Sequence, residues 1–197
     1  MRLTHLTSGD YRRVLWKNGG GMSTELLAEP NDAGGFLWRL SIAEVSQSGP
    51  YSDFTGYERT ITLLDGAGFT LAFDPRGSNG APAKRIVRPL KTYSFDGGWP
   101  TECTLVDGPI RHFNLIAARS GGPARMSVLE LDGGSSFLPA SATTVVHLLY
   151  GRANVADREM QEGDTLRIDD SMRTIELEAG DSVAAVVIQI GKRNAGH

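Results

Sequence analysis

Several kinds of structure and function are excluded by what the chain lacks. It has a single cysteine, Cys103, so no intrachain disulfide can form, which fits a reducing compartment. Its longest apolar run, residues 183–190, has the length of a strand, far short of the roughly 20 residues of a membrane span. The N-terminal residues have no apolar core of a signal peptide. A net charge of −3 gives no general attraction to nucleic acid or to anionic membranes. We therefore expect a cytoplasmic protein that binds neither nucleic acid nor membrane.

Helical periodicity is also missing. Apolar residues recur instead in short segments that alternate with polar ones, as in residues 39–42 (RLSI) and 60–63 (TITL). Alternation at a period of two puts one set of side chains on each face of a strand. The 24 glycines are scattered along the chain, which is typical of tight turns between short strands. The pattern predicts an all-β barrel or sandwich.

A weak internal repeat suggests that this β-structure has two similar halves. Residues 60–71 (TITLLDGAGFTL) and 144–155 (TVVHLLYGRANV) each predict a strand, a glycine turn and a second strand, which we interpret as a hairpin. Residues 162–166 (EGDTL) and 180–183 (GDSV) resemble the Gly-Asp turn that leads into a strand in cupins. We therefore predict a bicupin, with two cupin-like barrels of the RmlC-like jelly-roll type in one chain.

The boundary between the halves is predicted at residues 120–123 (SGGP), the most linker-like point of the chain. This gives an N-terminal barrel over residues 1–119, which carries the ligand pocket, and a C-terminal half over residues 120–197. Strands can be exchanged between the two halves. An exposed strand edge on either barrel could also pair into a homodimer.

The N-terminal half concentrates polar residues in a strand, a loop and a second strand. Residues 36–45 predict the first strand, with an irregularity at Ala43 and Glu44 that indicates a bulge. Residues 48–56 are rich in turn formers and aromatics and predict a loop, and Arg59 opens the next strand. We expect the polar side chains of this stretch to meet in a pocket inside the barrel. The residues concerned are Arg39, Ser41, Glu44 and Arg59.

Five motifs taken together resemble the HutD/Ves family of bicupins, and they occur in the family's order from residue 16 to about residue 116. They are residues 16–21 (WKNGGG) followed by Thr24 and Glu25, 38–45 (WRLSIAEV), 48–54 (SGPYSDF), 56–59 (GYER) and 108–114 (GPIRHFN). The resemblance implies a bicupin whose N-terminal barrel holds a pocket built from these motifs. It further implies a link to histidine utilisation for HutD and a stress-associated label for Ves. The family usually has an acidic residue where His112 stands in this chain.

A metal site is not expected. Cupin metal sites combine a His-x-His pair with a glutamate and a distant histidine, because imidazole and carboxylate are the preferred donors. None of the four histidines is two residues from another, and His112 and Asn114, which share a strand face, make a poor set of ligands. We predict a protein without metal or other cofactor.

The candidate ligand-binding residues follow from charge, shape and the resemblance. The glycines of residues 19–21 let the backbone approach a ligand closely, although a plain Asn-Gly turn explains the same residues. Two arginines can grip a carboxylate with paired hydrogen bonds, whereas surface ion pairs would explain them more simply. The full set is Trp16, Lys17, Asn18, Gly19, Gly20, Trp38, Arg39, Ser41, Glu44, Phe54, Arg59 and Asn114.

Three functions are compatible with these residues. The first is a metal-free protein that binds a small carboxylate, such as urocanate or formylglutamate, with a regulatory or sensing role in histidine utilisation. The second is an isomerase or hydrolase that acts on such a carboxylate with Glu25 or Glu44 as the base. The third is a structural or interaction protein with a vestigial pocket. Cys103 has no histidine near it in sequence and is expected to be buried and inert.

Overall fold

The computed structural model describes residues 1–16, 19–32, 34–171 and 173–192. Over these residues the chain forms nineteen β-strands and two short 3₁₀ turns, Ser8–Asp10 and Arg119–Gly121, with no α-helix. The prediction of an all-β protein is confirmed. In the part of the chain that is described, no helix has the length and apolar character to cross a membrane.

The strands are named in chain order. They are β1 (Arg2–Leu6), β2 (Arg12–Leu15), β3 (Gly21–Pro30), β4 (Phe36–Val45), β5 (Gly49–Pro50), β6 (Tyr57–Asp65), β7 (Phe69–Phe73), β8 (Lys84–Ile86), β9 (Thr92–Asp96), β10 (Thr101–Leu105), β11 (Ile110–Ala118), β12 (Ala124–Leu131), β13 (Gly134–Leu138), β14 (Thr143–Tyr150), β15 (Arg152–Val155), β16 (Arg158–Gln161), β17 (Thr165–Asp169), β18 (Ile175–Ala179) and β19 (Val183–Ile190).

The chain divides into two compact units, one of residues 12–121 and one of residues 1–11 together with 122–197. The chain passes from one unit to the other after residue 11 and again after residue 121. The first eleven residues differ from the prediction of an N-terminal half over residues 1–119, because β1 pairs with β17 of the C-terminal half. Arg2 Nη2 lies 3.1 Å from Asp169 Oδ2, and His5 Nε2 lies 3.1 Å from Asp164 Oδ2.

The unit of residues 12–121 consists of two antiparallel sheets that enclose an apolar core. A six-stranded sheet has the order β2-β3-β4-β11-β6-β9, and a four-stranded sheet has the order β5-β10-β7-β8. The core takes side chains from both sheets, such as Val45, Ile61 and Ile110 from the larger and Phe69 and Leu71 from the smaller. Burial of these apolar side chains stabilises the unit by roughly 1.5–3 kcal/mol for each large one.

The other unit repeats this arrangement. Its five-stranded sheet has the order β1-β17-β14-β19-β12 and its four-stranded sheet has the order β13-β18-β15-β16. The core again combines residues of both sheets, with Val146, Leu166 and Val187 from the larger and Val155 and Leu177 from the smaller. Each unit is therefore a pair of facing sheets.

The two predicted hairpins are instead connections between sheets. β6 pairs with β9 and β11 in the six-stranded sheet, while β7 pairs with β8 and β10 in the four-stranded sheet of the same unit. In the other unit, β14 belongs to the five-stranded sheet and β15 to the four-stranded sheet. Gly66 and Gly151 begin these connections with φ of 97° and 85°. A Cβ at either position would collide with a backbone carbonyl, that of Pro109 or of Ser182, so the sharp change of sheet requires glycine.

Three short strands, β5, β8 and β16, were not predicted from the sequence. Each lies at the edge of a four-stranded sheet. An edge strand pairs on one side only and is mostly exposed, so it needs no regular alternation of apolar residues. The sequence signal that identified the central strands is therefore weak at these positions.

β4 has no bulge at Ala43 and Glu44, which corrects the prediction there. Its register with β11 is unbroken from Val45 opposite Ile110 to Trp38 opposite Ala117. Alternation therefore directs Arg39, Ser41, Ala43 and Val45 to one face and Glu44 to the other.

Candidate functional site

A cavity of about 870 Å³ opens on the inner face of the six-stranded sheet in the unit of residues 12–121. The inner face of β4 is polar at one end, where Arg39 and Ser41 lie, and apolar at the other, where Ala43 and Val45 join the core. β6 and β11 have polar residues beside the same end. The cavity wall combines Arg39, Ser41, Arg59, His112 and Asn114 from these three strands.

Arg59 is the most deeply buried charge of the cavity, with 6% of its surface exposed. Its Nη2 donates to Asn114 Oδ1 at 3.4 Å, while its Nε is buried and has no hydrogen-bond partner among the described residues. Its Cζ lies 4.6 Å from the centroid of the Tyr51 ring and 5.3 Å from that of Phe95. Burial lowers the pKa of Arg59 to about 10, so the guanidinium is still charged at neutral pH. No carboxylate of the described residues forms an ion pair with it.

Arg39 places a second positive charge in the cavity, nearer to solvent. Its Cζ lies 4.7 Å from the Phe36 ring centroid, and Nη1 is 4.0 Å from Glu25 Oε2, a weak ion pair. Its Nε is buried and has no partner in the described part of the chain. Burial lowers the pKa of Arg39, and the nearby Glu25 opposes this change.

Phe54 is shared by the two arginines. Its ring centroid lies 5.4 Å from Arg39 Cζ and 5.5 Å from Arg59 Cζ. The loop that carries it is fixed by its main chain, because Phe54 N donates to the Gly97 carbonyl and Tyr51 N to the Thr101 carbonyl, both at 2.9 Å. An aromatic face beside two guanidinium groups can stack on a flat ligand body.

His112 forms the inner wall with Tyr51. Only 1% of its surface is exposed, and its Nε2 lies 3.2 Å from the Tyr51 hydroxyl. Burial, and then the charge of Arg59, lower the pKa of His112 to about 3, so its imidazole is neutral. Burial raises the pKa of Tyr51 well above its ordinary value, so the phenol keeps its proton. Cys103, buried behind this pair, has its thiol pKa raised by burial, which agrees with an unreactive thiol.

The rim of the cavity includes Trp16 and the edge strand β2. Trp16 Nε1 donates to Ser23 Oγ at 2.8 Å. Gly21 permits this position of the indole, because a Cβ there would meet the Trp16 ring and the Glu44 carbonyl. Leu15 lines the cavity although it is largely exposed to solvent.

The structure brings together only part of the candidate set from the sequence. The ligand-binding candidates that line the cavity are Trp16, Arg39, Ser41, Phe54, Arg59 and Asn114, and the candidate base Glu25 lines it as well. Gly19 and Gly20 are outside the lining, and Gly20 instead accepts a hydrogen bond from Ser46 N at 3.0 Å. Lys17 and Asn18 lie outside the described residues.

Trp38 and Glu44 are corrections to the candidate set. Both lie on the face of β4 opposite Arg39 and Ser41, as alternation without a bulge requires. Trp38 is buried on that face. The Glu44 side chain is 44% exposed, and its Oε1 lies 3.8 Å from Arg13 Nη2. Glu44 is therefore excluded as the base of a reaction in this cavity.

Two wall residues were missed at the sequence level. Tyr51 lies in the aromatic loop before Arg59. The composition of this loop predicts a turn but does not distinguish Tyr51 from its other aromatic residues. His112 was weighed only as a metal ligand. Its position two residues before Asn114 on β11 was the available signal, because strand alternation gives both the same face.

The described residues of the cavity wall are not arranged as a metal site. In the part of the chain that the structure describes, no group of three or more histidine, cysteine, aspartate or glutamate side chains is placed to hold a metal ion. The one cavity imidazole, His112, lies beside the positive charge of Arg59, which disfavours a cation there.

Solved structures of low sequence identity show what kind of fold this is. Oxalate decarboxylase from Lactobacillus farciminis has a TM-score of 0.70 at 8% identity, covering 95% of this chain and 86% of its own. The pirin YhhW from Escherichia coli has a TM-score of 0.68 at 10% identity, covering 97% of this chain and 100% of its own. At such identity the likeness concerns the fold alone, and it places the chain among cupin-like all-β proteins.

The family is identified by closer matches. The model of the HutD family matches residues 8–186, and the chain belongs to this family. An uncharacterised protein in the hutC 3′ region of Pseudomonas putida is 37% identical over 194 residues, 95% of this chain and 93% of the relative. The structure of HutD from Pseudomonas fluorescens, determined in a formate condition, has a TM-score of 0.81 at 30% identity, covering 98% of this chain and 100% of its own.

The Ves branch also matches. Protein Ves of Cronobacter sakazakii is 30% identical over 117 residues, 59% of this chain and 61% of the relative. The resemblance to HutD/Ves proteins inferred from the motifs is confirmed.

Proposed function

We propose that the protein binds a small carboxylate in the cavity of residues 12–121, without a metal, and has a regulatory or sensing role in histidine utilisation. The ligand would be an acid from histidine breakdown, such as urocanate or formylglutamate. The proposal includes a cytoplasmic location and two cupin barrels, one in each compact unit, with a homodimer compatible with both.

The observation that carries the proposal is the buried charge of Arg59. A guanidinium removed from water loses several kcal/mol of hydration free energy unless an anion or several hydrogen bonds replace the water. Arg59 has one long hydrogen bond to Asn114 and contacts with ring faces, but no carboxylate partner among the described residues. A ligand carboxylate would supply the missing charge.

The cavity also offers room and contacts for the rest of a ligand. Its volume of about 870 Å³ lies in the range typical of small-molecule sites. Arg39 gives a second donor group, and Phe54 gives an aromatic face between the two arginines. A planar acid, or an acid with a second acceptor, would use these features.

The electrostatics of the cavity favour binding over acid–base catalysis. A general acid or base works best with a pKa near the operating pH. The pKa values in this cavity are shifted away from neutral pH, since that of His112 falls to about 3 and that of Tyr51 rises. Such groups are suited to fixed hydrogen bonds.

An isomerase or hydrolase is the alternative, and Glu25 is the observation that supports it. Its carboxylate lines the cavity and lies 4.0 Å from Arg39 Nη1, so it could act as a base on a bound acid. A protein with a vestigial pocket is the third candidate.

Two relatives support the link to histidine utilisation and the choice of ligand. The Pseudomonas putida relative is named for its position next to hutC, and the family is named HutD. The Pseudomonas fluorescens HutD structure was determined in a formate condition, which makes formate a suitable minimal probe.

The test is calorimetric titration of formate, urocanate and formylglutamate into the wild-type protein, Arg59→Ala and Arg111→Ala. Arg111→Ala is the matched control, because it also removes one positive charge of the same unit but from an exposed ion pair with Asp65. We expect Arg59→Ala to weaken binding by about tenfold to a hundredfold, as loss of a charged hydrogen bond of about 1.5–3 kcal/mol predicts. Arg111→Ala should bind within about threefold of wild type.

The outcomes separate the three candidates. Binding without chemical change of the acid supports the sensor, and conversion of the acid, followed by NMR, supports the enzyme. No binding of any of the three acids, or equal binding by Arg59→Ala and wild type, contradicts the proposal.

A further inference from the structure

Glu25 places a carboxylate on the cavity wall that forms no hydrogen bond within the described part of the chain. Its side chain is 32% exposed, so a ligand in the cavity can reach it. Its ion pair with Arg39 joins Oε2 to Nη1 at 4.0 Å, which is beyond hydrogen-bond distance. An ionised carboxylate accepts several hydrogen bonds through its two oxygens. The acceptor positions of Glu25 are therefore open to a donor from a ligand.

Two further charged side chains line the cavity near its solvent-exposed side, Asp53 and Arg12. Asp53 Oδ1 accepts from Thr55 N at 2.7 Å and from Thr55 Oγ1 at 2.8 Å, so this carboxylate holds its own loop. Arg12 lies opposite Glu25 in the register of β2 with β3, but among the described residues it forms no ion pair with it. Of the two carboxylates on the described part of the wall, Glu25 is therefore the one available to a ligand.

The register of the sheet sets the distance between Glu25 and the proposed carboxylate subsite. Glu25 lies opposite Ser41, and Ser41 lies opposite Asn114, so the three residues form a row across β3, β4 and β11. All three line the cavity. Neighbouring strands are about 4.8 Å apart, which places the backbones of Glu25 and Asn114 about 9–10 Å from each other. Asn114 accepts from Arg59, so a ligand with its carboxylate beside this pair can extend along the row and reach Glu25 with its far end.

We propose that Glu25 is a specificity-determining residue, which accepts an N–H group of a ligand whose carboxylate lies beside Arg59 and Asn114. The ligand class is then an acid with one carboxylate and an N–H donor at the opposite end. The same negative charge disfavours a second carboxylate at that end, since like charges repel. The inference rests on the proposed carboxylate binding and narrows it. It separates the two example ligands, because urocanate has one carboxylate and a ring N–H, whereas formylglutamate has two carboxylates.

The test compares three planar acids that differ at the end opposite the carboxylate. Urocanate has an imidazole N–H there, β-(3-furyl)acrylate has a ring of similar shape without an N–H, and trans,trans-muconate has a second carboxylate. By calorimetry, we expect the wild type to bind urocanate about tenfold more tightly than the furan acid, as one hydrogen bond to a charged group predicts. Muconate should bind about threefold or more weakly than the furan acid.

Glu25→Gln should change the two comparisons in opposite senses, because it keeps the shape of the side chain and removes its charge. The preference for urocanate over the furan acid should fall to about threefold or less, whereas muconate should gain about threefold or more relative to the furan acid. A substitution that only disturbed the cavity would weaken all three acids together.

Two further variants support this comparison. Glu44→Gln is the matched control, because it removes a carboxylate from the opposite face of β4, and it should leave both ratios unchanged. Glu25→Asp keeps the charge with a shorter reach. It should still disfavour muconate while it loses part of the preference for urocanate.

Failure of this inference is distinct from failure of the proposed function. If the wild type binds formate but binds urocanate and the furan acid equally, or if Glu25→Gln keeps the preference, Glu25 is not a recognition residue and carboxylate binding still stands. Muconate binding that is the tightest of the three, and that Arg12→Ala weakens, would show an anion subsite instead and overturn the inference. If no carboxylate binds, both proposals fail.

Discussion

The cavity depends on two neighbouring residues that burial affects in opposite ways. Arg59 keeps its charge although its pKa falls to about 10, because the ordinary pKa of arginine is far above neutrality. His112 starts from a pKa near 6.5, so burial and the Arg59 charge are enough to make it neutral. The result is one fixed positive charge beside one neutral imidazole.

His112 should make stability depend on pH in a defined window. Its folded pKa of about 3 is below the unfolded value of 6.5, so between these values the unfolded chain binds a proton that the folded chain does not. Stability is therefore complete above pH 6.5 and falls as the pH drops, by at most about 1.4 kcal/mol per pH unit from this group. We expect His112→Gln to have a smaller loss of unfolding free energy than wild type between pH 6.5 and 5, measured by urea unfolding.

The control for this prediction is His5→Gln, which removes a histidine that contacts Asp164 in the other unit. This variant leaves His112 unchanged, so its unfolding free energy should fall between pH 6.5 and 5 as steeply as that of the wild type. Measurements stop at pH 5 because protonation of Asp10 and Asp169 adds to the loss in stronger acid. Hydrogen bonds lower the pKa of Asp10, and at Asp169 they outweigh the effect of burial, so that its pKa is lowered as well. Equal slopes for wild type and His112→Gln would contradict the prediction.

At the scale of the element, β4 shows how one strand serves both the site and the core. Its inner face changes from Arg39 and Ser41 in the cavity to Ala43 and Val45 in the core over seven residues, four of which point inward. The outer face has Trp38 and Glu44. Substitutions at neighbouring positions of this strand should therefore differ sharply in their effect on ligand binding, because neighbouring side chains point to opposite faces.

Arg39→Ala and Glu44→Ala test this alternation. Arg39 lines the cavity and contacts Phe54, so its loss should weaken carboxylate binding by about threefold to tenfold, less than the loss of the more deeply buried Arg59. Glu44 lies on the other face near Arg13, and Glu44→Ala should bind within about twofold of wild type. Calorimetric titration with formate measures both. An effect of Glu44→Ala as large as that of Arg39→Ala would show that the two side chains share a site.

At the scale of the whole molecule, the path of the chain connects the two units twice. β1 belongs to the same unit as residues 122–197. Residues 12–121, which lie between them in the sequence, form the other unit. β1 covers the edge of β17 and brings Arg2 and His5 to the buried carboxylates of Asp169 and Asp164. The N-terminus is therefore a structural part of the unit that does not contain the cavity.

Deletion of residues 1–7 should destabilise the protein and spare the cavity. The deletion removes the pairing of β1 with β17 and the contacts of Arg2 and His5, while Asp169 keeps its bonds from Thr143 and Arg167. Each lost hydrogen bond costs about 0.5–1.5 kcal/mol, and 1 kcal/mol shifts the melting temperature by about 2–4 °C at this chain length. We expect a melting temperature lower by about 5 °C or more in a thermal scan. Formate binding should stay within about threefold of wild type, because every residue of the cavity wall lies within residues 12–121. An unchanged melting temperature would show that β1 contributes little.

Local features were accessible from the sequence by itself. Alternation identified most strands and placed Arg39 and Ser41 on one face, because side-chain direction in a strand depends only on position along it. The order of the motifs identified the HutD family, and Asn114 and Arg59 were included in the candidate set. These features depend on residues close together in the chain.

Only the tertiary structure decided the features that depend on distant residues. Strand pairing separated β6 from β7 and joined β1 to β17, and the unbroken register with β11 turned Glu44 away from the cavity. The neutral state of His112 follows from burial and from Arg59 on another strand. Hydrogen bonds between strands and the removal of water around a side chain arise only when distant segments meet, so no local pattern determines them.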